Sequence, residues 1–253
     1  MSVDTIIETR HVDKQFGAFV ALKDVSVKVP RGKLTSIIGP NGAGKSTYFN
    51  VLSGAFAPTR GTVLFEGKDI TGLKPHEYAH LGIAKSFQIT NLFPNFTVLE
   101  NVRIALQAHV SRYSLWRTRE SLPGLRDQAL ELLALVGLAD RSGHLARELA
   151  HGQQRALEIA VALAAKPKLL LMDEPTAGMS PEETKTMMGL ILDLVKDRTV
   201  VLVEHKMKMV MGISDHVVVL HHGQLLAEGS PGEIRDNETV KAVYLVPGHL
   251  IEL

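Results

Sequence analysis

The 253 residues, 45% of them apolar and none cysteine, suffice for a full buried core and exclude a disulfide framework, a thiolate metal site and a thiol nucleophile. Twenty-eight basic residues against 27 acidic leave a formal charge of +1, so no global field favours nucleic acid or an anionic lipid surface. Residues 1–10 carry acids and lack the basic start and apolar stretch of a secretory signal, and no apolar run approaches the roughly 18 residues needed to span a bilayer. The chain is expected to be soluble and to meet a membrane only through partners.

In chain order, residues 5–9 and 22–29 read as short strands, the second with Val25, Val27 and Val29 alternating before the Pro30-Arg31-Gly32 turn. Residues 34–38 are the first of three apolar runs too short for a helix; residues 169–172 and 199–203 are the others, and each suits a buried parallel strand. A helix is expected over residues 45–52, directly after glycines, and a hairpin over residues 61–70 around Glu66-Gly67. Leu130, Leu133 and Val136 stand at helical spacing within residues 128–136, and residues 153–165 are rich in strong helix formers. This alternation implies a single α/β domain with a mostly parallel core. Residues from about 90 to 150 lack convincing strands and hold the only tryptophan, Trp116, so they read as an inserted helical subdomain, leaving about 1–89 and 151–253 as core plus β subdomain.

Gly39-Pro40-Asn41-Gly42-Ala43-Gly44-Lys45-Ser46 fits GxxxxGK[ST] between an expected strand and an expected helix. Gly39, Asn41, Gly42, Ala43 and Gly44 can turn backbone N–H groups around phosphate oxygens, and the helix start, with Thr47 in its first turn, adds a favourable dipole. Lys45 reaches the β and γ phosphates of a nucleotide, and Ser46 can ligate Mg²⁺. Residues 169–172 then run straight into Asp173 and Glu174 at the carboxyl edge of the sheet, where α/β folds bind ligands. Asp173 could hold Mg²⁺ through water, and Glu174 could orient or deprotonate an attacking water, because phosphoryl transfer needs positioning and charge neutralisation above all.

Leu149-Ala150-His151-Gly152-Gln153-Gln154, just upstream of that acidic strand, completes a combination that resembles the ABC ATPase family, whose signature LSGGQ lies there. The resemblance implies a P-loop NTPase (RecA-like) core with an antiparallel β subdomain and an inserted α-helical subdomain. It also implies two cassettes that sandwich two ATP molecules head to tail, with Ala150, Gly152 and Gln153 facing the phosphate of nucleotide on the second subunit. By the same resemblance Gln88 contacts Mg²⁺ or water and relays nucleotide state, His205 is the switch histidine at the γ phosphate, and Phe16 stacks on adenine. Residues 177–180 occupy the loop that crosses the dimer interface. The match runs from Phe16 to about Ile234. Ala150 stands in place of the signature serine and His151 in place of its first glycine, and the loop at residues 177–180 lacks the family's usual aspartate.

Those departures, with the Ala177-Gly178-Met179-Ser180-Pro181 run, Glu204-His205-Lys206-Met207 and the tail Val240-Lys241-Ala242-Val243-Tyr244-Leu245, look like the ATPase subunits of branched-chain amino-acid importers. That likeness implies two transmembrane permease subunits, a second ATPase subunit (a paralogue or a copy of this chain), an external solute-binding protein acting indirectly, and a cytoplasmic, peripheral location on the membrane's inner face. No nucleic-acid partner is expected. Permease contact is expected near Gln88 and along the basic, partly apolar stretch with Arg103, His109, Arg112, Tyr113, Leu115, Trp116, Arg117 and Arg119. An ABC ATPase for urea, amides or aromatic compounds, or one acting outside transport on DNA or ribosomes, is the alternative; the latter usually carries coiled-coil insertions or fused cassettes, and neither is seen. A GTPase would need an NKxD motif, which is absent. A regulatory module that binds ATP without hydrolysing it is a further alternative. His221 and His222 are not expected to form a metal site, since adjacent strand residues point apart.

Overall fold

A computed structural model describes residues 4–86, 92–110 and 124–244. The chain opens with a long hairpin of β1 (Thr5–Phe16) and β2 (Phe19–Pro30), followed by β3 (Leu34–Ile38) and α1 (Lys45–Leu52). Next come β4 (Arg60–Phe65), β5 (Lys68–Asp69), α2 (Pro75–Leu81) and β6 (Ile83–Ser86). Helices α3 (Val98–Val110), α4 (Leu125–Leu135) and α5 (His151–Leu163) precede β7 (Leu169–Asp173), α6 (Pro181–Val195), β8 (Thr199–Val203) and α7 (Met207–Ile213). The described chain closes with β9 (His216–His221), β10 (Gln224–Gly229), α8 (Pro231–Asp236) and α9 (Glu238–Tyr244).

Two sheets result. One is antiparallel in the order β2-β1-β4-β5; the other runs β10-β9-β3-β8-β7-β6, parallel from β9 to β6 with β10 antiparallel at its edge. Every residue of β3, β7 and β8 is buried, which is why these strands read as mostly apolar runs, β3 with Thr35 and Ser36 buried inside it. Their two faces nevertheless divide by alternation. Leu169, Leu171, Val201 and Val203 pack with Tyr48, Phe49 and Leu52 of α1 and, across it, with Ile7, Val63 and Phe65 of the small sheet. Leu170, Met172, Val200 and Leu202 face α3, α4, α5 and α6. Helix α1 is thereby clamped between two sheets, each buried leucine or valine contributing roughly 1.5–3 kcal/mol. Continuing the alternation along β7 sends Asp173 to the α1 side.

The first hairpin extends well beyond residues 5–9 and 22–29. Its outer ends, such as Asp13 to Phe16 and Phe19, are exposed or half-buried, so they show no apolar alternation to read. Strands β6 and β9 also enter the parallel sheet without having been singled out. Between β6 and α5 the described residues are helix and turn, joined by an isolated bridge between Thr97 and Leu145. Among the described residues no helix is long and apolar enough to cross a membrane. One expectation is corrected at the β9–β10 turn. His221 and His222 do not point apart: their ring centroids are 4.0 Å from one another. His222 has left the strand conformation for φ 48°, so strand alternation no longer governs it.

Candidate active site

The strand order sets β8 between β3 and β7, and Val203 at the end of β8 pairs with Ile37 on one side and Asp173 on the other. Three carboxyl ends therefore lie abreast. From β3 comes the glycine loop. Gly39 adopts φ 153° against the β9–β10 hairpin, where a Cβ would lie 2.3 Å from the Leu220 carbonyl oxygen. On the hairpin itself, Gly223 has φ 75°; its N–H donates to the Ala43 carbonyl at 3.0 Å and its carbonyl accepts from the Lys23 N–H at 2.8 Å. A Cβ there would meet the Ala21 carbonyl oxygen at 2.5 Å. The phosphate loop is thus held from behind by a glycine 180 residues away in sequence, a contact with no local sequence signal.

Lys45 is buried at the start of α1, and its ammonium donates to the Gly39 and Pro40 carbonyls at 2.7 and 3.0 Å. Burial pushes its pKa down, while the charges of Glu174 and Asp173 act to raise it. Asp173, only 8% exposed, is pushed up from the ordinary carboxylate range by burial; Lys85 opposes this and Glu174 reinforces it. Glu174 stands just past β7 at φ 47°, a left-handed conformation held by its N–H donating to the Val203 carbonyl at 2.9 Å. Its carboxylate meets His205, the second residue beyond β8, with Nε2 2.6 Å from Oε1. A cleft of about 310 Å³ opens here, lined by Phe19, Ala21, residues 41–47, Glu174 and His205.

Phe19 was not anticipated. Phe16, the aromatic singled out from the sequence, stands across the hairpin turn from Phe19, edge-on to Phe56 with ring centroids 5.3 Å apart and with the Lys14 ammonium 5.0 Å from its own centroid. Phe19 is the more exposed of the two, at 65% against 43%. Such exposure of a large apolar ring was the available signal, but it exists only in the folded chain.

Ala150, Gly152 and Gln153 sit together at the start of α5 and do not line this cleft. The Gln153 side chain folds back, Oε1 accepting from the Ala150 N–H at 3.2 Å. A Cβ on Gly152 would meet only the flexible Glu183 carboxylate, at 2.8 Å. The Glu183 carboxylate accepts from the Ser180 N–H in the capping box of α6; hydrogen bonds from the Ser180 N–H and side chain lower its pKa, and the Gly152 N–H acts in the same direction. Gln88 lies outside the described residues, as do Arg112, Tyr113, Leu115, Trp116, Arg117 and Arg119 and the side chain of His109.

The Ser46 hydroxyl and the Asp173 carboxylate are hard oxygen donors on neighbouring elements, the kind of set that suits a cation keeping several of its waters. A glycine loop between a buried strand and a helix, facing a carboxylate–histidine pair across the ends of adjacent parallel strands, defines a P-loop nucleoside triphosphatase. The ABC transporter family pattern matches residues 22–177. The chain is 40% identical over 248 residues, 95% of its length and 97% of the relative's, to the high-affinity branched-chain amino acid transport ATP-binding protein BraF of Pseudomonas aeruginosa. It is similar to the ADP conformation of MJ1267, an ATP-binding cassette of an ABC transporter, at 33% identity and a TM-score of 0.84, covering 95% of this chain and 98% of that one. The dimeric post-hydrolysis cassette MJ0796 bound to ADP and Pi matches at 30% identity and a TM-score of 0.76, covering 89% and 99%. The chain belongs to the ABC transporter family and is an ATPase subunit of that family.

Proposed function

We propose that this chain energises uptake of branched-chain or related hydrophobic amino acids through separate permease subunits, from the cytoplasmic face of the membrane and as one half of a head-to-tail cassette dimer. The observation that carries the solute class is the near full-length similarity to BraF. An external binding protein delivers the solute on this reading, and residues of about 90–150 form the part that meets the permeases. Two features favour that face. Phe93 and Phe96 stack at 5.3 Å while 51% and 43% exposed, displayed on a turn pinned by the buried Asn101, which accepts from the Phe93 N–H and donates to its carbonyl. Beside them, a largely apolar groove of about 380 Å³ runs between α2, β6, α3 and α5. Exposed apolar surface of this kind marks an interaction site.

In the proposed site, amides of residues 41–46 hold the phosphates and Lys45 moves from its own loop carbonyls to the β and γ oxygens. Phe16 and Phe19 offer ring surface for the base. Ser46 and Asp173, with Gln88, would hold Mg²⁺, which supplies charge neutralisation at the phosphates. Glu174 orients and deprotonates the attacking water, its carboxylate aimed by His205. Ala150, Gly152 and Gln153 serve the nucleotide of the other cassette. ATP closes the pair and hydrolysis reopens it.

Uptake of labelled leucine by source cells carrying either the intact gene or Glu174→Gln tests the whole reading. Uptake lost in the variant at equal expression is expected. Normal uptake, with no redundant system present, overturns the leucine assignment, and the permeases that co-purify with the chain then identify the solute.

A further inference from the structure

Glu204 is only 3% exposed, in the middle of a charged-looking run, and its two carboxylate oxygens serve two different loops. Oε1 accepts from both the N–H and the hydroxyl of Thr176, at 3.1 and 2.7 Å. Oε2 accepts from the N–H of His205 at 3.1 Å. Thr176 is itself fully buried, two residues past Glu174, and its hydroxyl has one proton to give; Met209 Sδ at 3.8 Å is the distant competitor. The same gap is crossed a second time by Lys206, whose ammonium donates to the Thr176 carbonyl at 3.1 Å and to Thr184 Oγ1 at 3.2 Å.

These contacts close a ring. Glu174 meets the His205 side chain, the His205 backbone meets Glu204, Glu204 meets Thr176, and the turn returns to Glu174 through the Ala177 N–H on the Glu174 carbonyl at 3.1 Å. A single-atom acceptor would satisfy one loop; a forked, acceptor-only group is needed to satisfy donors from both. We propose that Glu204 is a positioning residue that fixes the His205–Glu174 contact and ties it to the loop at residues 177–180, so that a shift in that loop reaches the group orienting the water. The ring links the post-β7 and post-β8 loops as one unit rather than two independent termini. This deepens, and rests on, the hydrolytic reading of Glu174.

The test uses the transporter complex purified through the full-length chain, with ATP hydrolysis, nucleotide affinity and melting temperature measured for Glu204→Gln, Thr176→Val, Thr176→Ser and the Glu204→Gln/Thr176→Val double variant. Glu204→Gln places an amide NH₂ against one of the two loops' donors, and a misplacement approaching 1 Å costs up to about a hundredfold in rate. The expected result is a tenfold to hundredfold lower kcat with KM and nucleotide affinity near wild type, because a group that acts on geometry alone changes the chemical step and leaves binding intact. Thr176→Val should fall in the same direction, Thr176→Ser should restore kcat because it keeps the hydroxyl, and the double variant should be no slower than Glu204→Gln. Unchanged kcat in Glu204→Gln, or multiplicative losses in the double variant, overturn the proposal. Should Glu204→Gln fail to fold, Thr176→Val against Thr176→Ser decides alone: equal kcat in the two sinks it. Glu174→Gln in the same assay separates the failures, since a fully active Glu174→Gln overturns the site reading itself, whereas an inactive one beside a normal Glu204→Gln overturns only the role of Glu204.

Discussion

The two halves of the site are built in opposite ways. At the sheet's edge, the glycine loop, Asp173, Glu174 and His205 are locked by strand pairing, by the hairpin behind Gly39 and by a buried carboxylate between their loops. At the start of α5, Ala150, Gly152 and Gln153 face no phosphate loop of their own chain, and their nearest polar neighbours are their own helix and Glu183. One half is a finished pocket and the other is a helix end awaiting something to face. The difference teaches that one copy gathers the glycine loop, Glu174 and His205 around a single cleft and leaves the start of α5 outside it, which is the arrangement the proposed head-to-tail pair would complete.

A pair of matched glycine substitutions should break this comparison most visibly. Gly39→Ala drives a methyl into the backbone carbonyl of Leu220, which cannot swing away as a side chain can, at a φ that side chains rarely adopt. Nucleotide binding to the lone chain should fall at least tenfold, by calorimetry or a fluorescent analogue, because the loop cannot keep its course. Gly152→Ala meets only a side chain that can swing away. It should leave lone-chain binding unchanged while lowering hydrolysis by the assembled transporter. Equal binding losses in the two would erase the distinction between the halves.

A smaller effect sharpens the energetic side. Asp173 has its pKa raised by burial, so the folded chain holds its proton more tightly than the unfolded chain does. Between the ordinary carboxylate pKa and the raised one the folded state binds more protons, so this group's contribution to stability falls as pH rises through that window and is most favourable below it. Asp173→Asn removes the buried charge. Its melting temperature without nucleotide should rise by a few degrees near neutral pH, with the gain shrinking at acid pH, while Mg²⁺-dependent hydrolysis is lost. A melting temperature that drops at every pH would contradict the assignment of Asp173 as a charge kept for a cation.

The core half was legible in the sequence for a physical reason. Strands β3, β7 and β8 fall on the runs read at residues 34–38, 169–172 and 199–203, because strands buried on both faces are written mostly in apolar residues, with Thr35 and Ser36 the interruption inside β3. The glycine loop and the acid pair sit where those runs stop, so their placement followed. What could not be read is tertiary. Nothing local to Gly223 says that it will back the phosphate loop, nor does the run Glu204-His205-Lys206 say that its glutamate will be buried and bridge to Thr176. The outer ends of β1 and β2, the position of Phe19 and the close approach of the His221 and His222 rings depend on exposure and on one left-handed residue, which a pattern of alternation does not contain.

Sedimentation velocity of Glu174→Gln chain, with and without Mg²⁺–ATP, tests most directly the claim that the open helix end of one copy completes the finished pocket of another. The account predicts a monomer without nucleotide and a discrete step to twice the mass with ATP, either alone or on mixing with the second cassette that co-purifies with the permeases, and loss of that step in Gly152→Ala. A chain that binds ATP tightly yet stays monomeric in both settings would contradict it.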